Sequence, residues 1–270
     1  MPTRCSHFTR RVLRAAAILA VALAAGAGPA CAADLLHTVK TRGTLRIALE
    51  GTYPPFNFRD SKTGQLTGYD VDVAQIVCAR LGVKPEFVTT EWSAILADLG
   101  AGKVDAIISQ VGITPRREGM FDFSRPYTYS TPQLIVRKDD VGNYRSLADL
   151  KGRRVGVGQG SVYEQQARAV PGIDVKSYPS AAEDLQDLAF GRIDAALNDS
   201  LMVGYLLKTS ALPLRAGARV GEVTRMGIAL RKGSPQLRAA IDRTLDDARA
   251  DGSLKAASVK WFGGDASRAP

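Results

Sequence analysis

The chain has 270 residues, of which 45% are hydrophobic and 23% charged, and its formal net charge is +9. The basic residues are scattered rather than clustered with aromatic ones, which gives a nucleic-acid-binding function little support. No segment is apolar over the roughly 20 residues that a helix needs to cross a bilayer.

The first 33 residues have the pattern of a secretory signal peptide. Four arginines and no acid precede the apolar run AAAILAVALAAGAG, and small residues lead up to Asp34. We predict cleavage near Ala33 and a periplasmic protein. A lipid-modified Cys31 is the alternative, although Gly28, Pro29 and Ala30 match a lipoprotein signal poorly.

Removal of this leader changes the charge and the cysteine count. Without its four arginines, 32 basic residues remain against 27 acidic ones, so the net charge falls to about +5. Two of the three cysteines lie in the leader, which leaves Cys78 alone and rules out an internal disulfide. We expect Cys78 to be a small helix residue rather than a nucleophile.

Short apolar runs alternate with helical patterns along the remaining chain, which predicts an α/β fold with two lobes. The predicted strands are Leu45–Glu50, Glu86–Thr89, Ala106–Ser109, Gln133–Arg137, Arg154–Val157, Val175–Tyr178, Ala195–Asn198 and Gly227–Leu230.

A helix is predicted after Asp70, where apolar residues recur at i, i+3, i+4 and i+8 from Val73 to Leu81. Gly82 is placed to end it. Asp70 and Asp72 are predicted to be its N-cap and a first-turn charge. Near the carboxyl terminus, Trp261 and Phe262 are predicted to be core residues.

Ligands of parallel α/β sheets bind beyond the carboxyl ends of the strands. The segments at four predicted strand ends are 50–53, 109–114, 158–162 and 198–200, and all are polar or rich in glycine. Residues 53–56 place Tyr53 and Phe56 around two prolines in a stiffened loop. These segments predict a ligand cleft.

The segment GVGQGS, residues 156–161, reads as a strand, a glycine-rich turn and a helix start capped by Ser161. Exposed amides at such a helix start favour an anion. The spacing lacks the remainder of a dinucleotide-binding motif, and a carboxylate suits an exported protein better than pyrophosphate does.

Five blocks occur in the order in which the amino-acid-binding branch of the periplasmic solute-binding proteins of ABC transporters has them. They are GYDVDVA, GKVDAIISQVGITPRREGMFDFSRPY, LKGRRVGVGQGS, GRIDAALND and DGSLKAASVKWFG. The chain resembles that family over residues 38–264.

The resemblance implies the type 2 periplasmic-binding-protein fold, in which each lobe is a mainly parallel sheet flanked by helices and two hinge strands cross between the lobes. Lobe 1 would comprise residues 34–130 and 226–270, and lobe 2 residues 131–225. The crossings would lie near Thr128–Gln133 and Glu222–Met226.

The resemblance also implies roles for site residues. Arg117 of the Thr114-x-x-Arg117 element would bind the α-carboxylate of an amino acid, which a guanidinium matches in bidentate fashion. Asp199 would meet the α-ammonium group. Tyr53 and Trp92 would lie against the ligand side chain.

Several positions depart from the family pattern or contribute only backbone. Gly112 stands where many relatives have Ser or Thr, so its amide and the Gln110 carbonyl would serve the ammonium instead. Ser161 and Val162 would offer capping and backbone groups. Gly158 replaces a larger residue of some relatives that bind basic amino acids, which would widen the pocket.

Two ligand classes stay open. Glu50 matches a position at which relatives that bind lysine, arginine or histidine carry an acid. The combination of EGTYPPF, SQVGIT and LND is closer to members that bind cystine or other polar amino acids, and we prefer that reading.

The implied role is the solute-binding component of an importer, a monomer with an inner-membrane permease and its ATPase as partners. We expect no cofactor, no metal and no enzymatic activity. The exported cyclohexadienyl or arogenate dehydratases share this fold and are the enzyme alternative, with Glu50, Glu164 and His37 as the suggestive acids. A sensor that reports to a different partner is the third class.

Overall fold

The computed structural model describes residues 34–270, and the predicted signal peptide with its cleavage site lies outside them. The first half contains α1 (Leu35–Arg42), β1 (Thr44–Leu49), β2 (Thr52–Tyr53), β3 (Asn57–Arg59), β4 (Leu66–Thr67), α2 (Tyr69–Leu81), β5 (Lys84–Thr89), α3 (Trp92–Gly100), β6 (Ala106–Ile107), α4 (Pro115–Met120), β7 (Phe121–Phe123) and β8 (Thr128–Ser130). The second half contains β9 (Pro132–Arg137), a 3₁₀ turn (Leu147–Leu150), β10 (Arg154–Gly158), α5 (Val162–Arg168), β11 (Asp174–Tyr178), α6 (Ala181–Ala189), β12 (Ala195–Asp199), α7 (Ser200–Thr209), β13 (Leu214–Arg219), β14 (Thr224–Met226), β15 (Ala229–Arg231), α8 (Pro235–Ala250) and α9 (Ser253–Phe262).

Two five-stranded sheets define two lobes. The first lobe carries the order β5-β1-β6-β15-β7, and the second lobe carries β11-β10-β12-β9-β13. In each sheet three strands are parallel, namely β1 with β5 and β6, and β10 with β11 and β12. The remaining strands pair antiparallel. All eight predicted strands are present, with small shifts at their ends.

A two-stranded ribbon occupies both predicted crossing segments. In it β8 pairs antiparallel with β14, and Thr128 lies opposite Met226. The strands on either side of β8 and β14 belong to different sheets, since β7 and β15 are in the first lobe and β9 and β13 in the second. The exact lobe boundaries stay a prediction.

Helix α2 packs an apolar face on the first sheet. Val73, Val77 and Leu81 are fully or almost fully buried, and Gly82 ends the helix with a left-handed φ of 67°. The N-cap prediction for Asp70 was wrong, because Gly68 occupies that position. A Cβ on Gly68 would lie 2.3 Å from the Phe56 carbonyl oxygen, so the chain passes too close for any other residue there.

The carboxyl-terminal helices pack back on the first lobe. Phe262 contacts the rings of Phe56 and Tyr69, with centroid distances of 5.5 and 4.8 Å. The indole of Trp261 donates a hydrogen bond to Asp72 at 2.7 Å. Both rings therefore serve packing, as predicted. Cys78 is buried in α2, and burial raises the pKa of its thiol to about 12.

No helix within residues 34–270 is long and apolar enough to span a membrane.

Candidate functional site

The carboxyl ends of strands from both sheets meet at a cavity between the lobes. Its volume, open mouth included, is about 490 Å³. Eight of the ten predicted site residues line it: Glu50, Tyr53, Trp92, Gln110, Gly112, Arg117, Ser161 and Val162. The other two, Thr114 and Asp199, lie outside its lining.

Thr114 acts on the site through the helix that carries Arg117. It is the N-cap of α4, and its hydroxyl accepts a hydrogen bond from the Arg117 amide at 3.3 Å. Pro115 follows as the first helical residue, where its fixed φ suits a helix start and its missing N–H costs nothing. The Thr-x-x-Arg spacing thus places the arginine at the third helical position.

The Arg117 guanidinium is buried without a carboxylate. It donates to the carbonyl oxygens of Gly112 and Gly160, each at 2.8 Å, and lies 5.8 Å from the centre of the Trp92 ring. No Asp or Glu of the described residues forms an ion pair with it. Burial lowers the pKa of Arg117 to about 10. A buried cation whose hydrogen-bond partners are carbonyl oxygens alone favours the binding of an anion.

Glu50 is the acidic residue among the described residues that line the cavity. Its carboxylate makes no hydrogen bond or ion pair with any residue of 34–270, while its amide donates to the Ser109 hydroxyl at 3.4 Å. Burial, with the nearby charges of Glu91 and Asp70, raises the pKa of Glu50 to about 8. The carboxyl is therefore open to a cationic group of a ligand.

The glycine-rich turn forms as predicted, with Ser161 as the N-cap of α5. The Ser161 hydroxyl accepts from the Glu164 amide at 3.1 Å. The Ser161 amide itself donates to the Gly158 carbonyl at 3.1 Å, so it is already used within the turn. At Gly158 an added Cβ would meet Ser161 and Trp92 only at 3.7 to 3.9 Å, which leaves that part of the wall roomy.

Asp199 is enclosed by protein donors, so the structure does not place its carboxylate on the cavity wall. It is fully buried, and one oxygen accepts from the Leu201 amide at 2.8 Å. The other oxygen accepts from the hydroxyls of Ser130 and of Tyr163, the latter at 3.1 Å. Burial raises the pKa of Asp199. In this geometry the residue caps α7 and ties the ribbon strand β8 to the second lobe.

A buried carboxylate organises the first-lobe wall from behind. Asp70 accepts hydrogen bonds from Asn57 Nδ2 at 2.7 Å, Gln110 Nε2 at 2.6 Å and the Tyr127 hydroxyl at 2.8 Å. Burial raises its pKa to about 7. Gln110, which has a φ of 50°, is thereby held in a conformation that a non-glycine residue seldom adopts.

Seven further residues line the cavity: Ser109, Gly158, Tyr163, Ser180, Ala181, Asn198 and Met226. Three of them, Ser109, Gly158 and Asn198, fall in the segments that follow predicted strands, so the strand-end rule was able to find them. Ser180, Ala181 and Met226 reach the cavity through the packing of α6 and of the ribbon, for which the sequence carries no local signal.

The sequence profile of the bacterial extracellular solute-binding proteins, family 3, matches residues 45–264. The chain belongs to this family. Its relatives include the L-cystine-binding protein TcyJ of Escherichia coli strain K12, which is 41% identical over 98% of this chain and all of its own. The L-cystine-binding protein TcyA of Bacillus subtilis is 36% identical over 87% of each chain.

Solved structures of similar proteins agree with the fold. A mutant of ArgBP from T. maritima superimposes with a TM-score of 0.79 at 30% identity, covering 85% of this chain and 99% of its own. The ancestral amino-acid-binding protein AncCDT-1, described as a precursor of cyclohexadienyl dehydratase, gives 0.78 at 36% identity over 84% and 99%. Within residues 34–270, no group of three His, Cys, Asp or Glu is arranged to hold a metal ion.

Proposed function

We propose that this protein is the periplasmic solute-binding component of an ABC importer and that it captures a polar amino acid, L-cystine first, between its lobes. The observation that carries the proposal is the buried Arg117 guanidinium, which faces the cavity beside Trp92 and has no acidic partner among the described residues. An α-carboxylate would complete it in bidentate fashion. The similarity to two L-cystine-binding proteins supports the choice of ligand.

The remaining groups fit an amino acid held as a zwitterion. We propose that the Gln110 carbonyl and Asp199 receive the α-ammonium, with Asp199 exchanging its Tyr163 hydrogen bond as the ligand arrives. Tyr53 and Trp92 then cover the side chain. The lobes would be residues 34–130 with 226–270, and 131–225, in agreement with the sheet to which each segment contributes. An inner-membrane permease with its ATPase is the proposed partner.

A basic amino acid is the second candidate, and Glu50 favours it. An unpaired carboxyl in a cleft binds a cationic side chain well, because a nearby cation offsets the burial that raises the pKa of Glu50. L-cystine satisfies the same group, because its second half carries an ammonium group of its own. Glu50 therefore fits both ligands, and the proposal of L-cystine depends on the similarity to its binding proteins.

The test is a thermal-unfolding screen of protein freed of bound solute by unfolding and refolding. L-cystine, L-glutamine, L-arginine, L-lysine and L-histidine are each added, together with arogenate and prephenate. A ligand that binds only the native state raises the midpoint. We expect the largest rise with L-cystine. A rise with arogenate or prephenate, and none with the five amino acids, would instead favour the dehydratase.

Arg117→Ala provides the site-specific form of this test. The variant should abolish the L-cystine response and leave the ligand-free midpoint equal or higher, because a buried unpaired cation has been removed. Arg116→Ala, on the adjacent and exposed side chain, is the matched control. If both variants keep the response, the carboxylate is bound elsewhere.

A further inference from the structure

Asn198 is a cavity residue whose amide group is oriented by two donors. It is the penultimate residue of β12 and is only 4% exposed. One side-chain atom accepts from the Tyr53 hydroxyl at 2.6 Å and from the Asp199 backbone amide at 2.8 Å. A backbone N–H can only donate, so the atom that receives it must be the oxygen Oδ1. The NH₂ group of Asn198 therefore occupies the other position of the side-chain amide.

The NH₂ group of Asn198 is left as a donor toward the cavity. It donates to no residue of 34–270. It is also absent from the fully enclosed side-chain atoms that lack partners, which belong to Gln110, Gln166 and Asp184. Nδ2 thus retains accessible surface, and the space that Asn198 borders is the cavity. A nearly buried donor without a hydrogen-bond partner destabilises the folded protein unless a ligand accepts its hydrogen bond.

The hydrogen bond from Tyr53 indicates which end of a ligand this donor meets. Tyr53, whose ring is proposed to cover the ligand side chain, donates its hydroxyl to Asn198 Oδ1 at 2.6 Å. Glu50 is the group proposed to receive a distal ammonium, whereas Arg117 receives the α-carboxylate. Asn198 therefore belongs to the side-chain end of the cavity, together with Tyr53 and Glu50.

We propose that Nδ2 of Asn198 donates a hydrogen bond to an acceptor at the side-chain end of the bound amino acid, and so selects ligands with a distal carboxylate or amide. This inference rests on the proposed function and narrows its substrate class. L-cystine carries both a distal ammonium for Glu50 and a distal carboxylate for Asn198. L-arginine ends in a guanidinium, which has no acceptor to offer.

Asn198→Asp tests the inference, because it removes the donor while its oxygen still accepts from Tyr53 and from the Asp199 amide. Calorimetric titrations with L-cystine, L-glutamine and L-arginine give the dissociation constants. We expect the Kd for L-cystine to rise about tenfold or more, the Kd for L-glutamine to rise, and that for L-arginine to stay equal or fall. An unchanged Kd for L-cystine overturns the inference. An equal loss for all three also overturns it, since Asn198 would then act only through its contact with Tyr53.

Two further variants keep the result interpretable. Asn143→Asp makes the same chemical change at an exposed position and should leave all three constants unchanged. If Asn198→Asp does not fold, Asn198→Ser, which is too short to reach the same point, should show the same ranking of ligands. Wild-type protein that binds none of the three overturns the proposed function before any variant is made. Wild-type protein that binds only L-arginine overturns this inference and leaves solute binding intact.

Discussion

Asp184 is the buried side chain that the fold leaves least satisfied. It lies in the first turn of α6, one helical turn below the cavity residues Ser180 and Ala181, and is fully buried. Neither of its oxygens has a hydrogen-bond partner among the described residues. Burial, with the charges of Glu183 and Asp187, raises the pKa of Asp184 well above its usual value. The folded state therefore favours the protonated form of Asp184.

We predict that Asp184→Asn stabilises the protein at pH 8, by about 1.4 kcal/mol for each unit by which burial raises the pKa of Asp184, and does little at pH 4, where the folded state holds an uncharged side chain in either case. The raised pKa means that the folded state holds a proton that the unfolded chain loses above about pH 4. The stability of the wild type accordingly falls as the pH rises, and the variant lacks that fall. Urea unfolding at both pH values measures the difference.

Asp187 is the control on the same helix. Its carboxylate accepts from the Tyr178 hydroxyl at 2.8 Å and pairs with Arg192, and these hydrogen bonds lower its pKa. Asp187→Asn should lose stability at pH 8 relative to pH 4, which is the opposite sign. Equal behaviour of the two variants would mean that Asp184 is ionised and paired in solution.

At the scale of single residues, local signals were predictable and the direction of side chains was not. The caps at Thr114 and Ser161 follow from sequence because capping depends on a few adjacent residues. Asn198 and Asp199 are neighbours on one strand, and successive strand residues point to opposite faces. Which of them lines the cavity depends on how β12 lies in its sheet, so the strand-end rule pointed to both residues and could not distinguish between them.

At the scale of elements, the contact between the Gly112 loop and the start of α5 limits how closely the lobes approach. A Cβ built on Gly112 would lie 2.6 Å from Cγ1 of Val162, which belongs to the other lobe. From the sequence, this glycine was read as a missing hydroxyl. The structure adds that position 112 has no room for a side chain when the lobes are together, so the contact with Val162 requires glycine there.

We predict that Gly112→Ala weakens L-cystine binding about tenfold, because overpacking of this size costs roughly 1 to 3 kcal/mol. Removal of the opposing methyl groups in Gly112→Ala/Val162→Ala should restore most of the affinity. Gly204→Ala in α7, outside the cavity lining, is the control, since its Cβ would meet no atom within 4 Å. Calorimetry gives the affinities. If the double variant binds L-cystine as weakly as the single one, the loss of affinity does not arise from the contact between residues 112 and 162.

The elements themselves were largely predictable where the pattern is long. Eight strands of the two sheets follow from apolar runs and turn residues, and α2 follows from its periodicity and Gly82. The short strands β2, β3, β4 and β7 were missed, because two or three residues carry too little periodicity, and β8 and β14 were expected only as the hinge strands that the family resemblance implies. β13 was missed for a different reason. Its sequence LRAGAR has no apolar run and pairs only at the sheet edge.

At the scale of the whole molecule, closure of the two lobes is coupled to the protonation of Glu50. Two hydrogen bonds join the lobes at the cavity, from Tyr53 to Asn198 and from Arg117 to Gly160. In this arrangement burial raises the pKa of Glu50 to about 8. Separation of the lobes would return water to Glu50 and lower its pKa toward that of an exposed acid. Asp70 accepts hydrogen bonds from Asn57, Gln110 and Tyr127 of the first lobe, and burial together with the charge of Asp199 in the second lobe raises its pKa.

The two-lobe plan was predictable from the sequence because the order of strands and helices restricts the ways in which they can be connected. The sequence did not predict this electrostatic coupling. The pKa of Glu50 depends on the distance of Glu91 and Asp70 and on how much water the second lobe removes. Those are properties of the assembled molecule, to which residues far apart in the chain contribute.

The coupling predicts that the pH dependence of binding differs between ligand classes. Closure on L-glutamine, which has no distal cation, raises the pKa of Glu50 and takes up a proton, so its affinity should fall as the pH rises from about 5 to 8. Closure on L-cystine or L-arginine brings a cation to Glu50 and keeps it ionised, so their affinities should change little. Titration calorimetry at pH 5, 6.5 and 8, in buffers of different ionisation enthalpy, counts the protons. Glu50→Gln should abolish the uptake with L-glutamine while it weakens the two cationic ligands. Uptake that persists in Glu50→Gln would assign the proton to another group and refute the coupling.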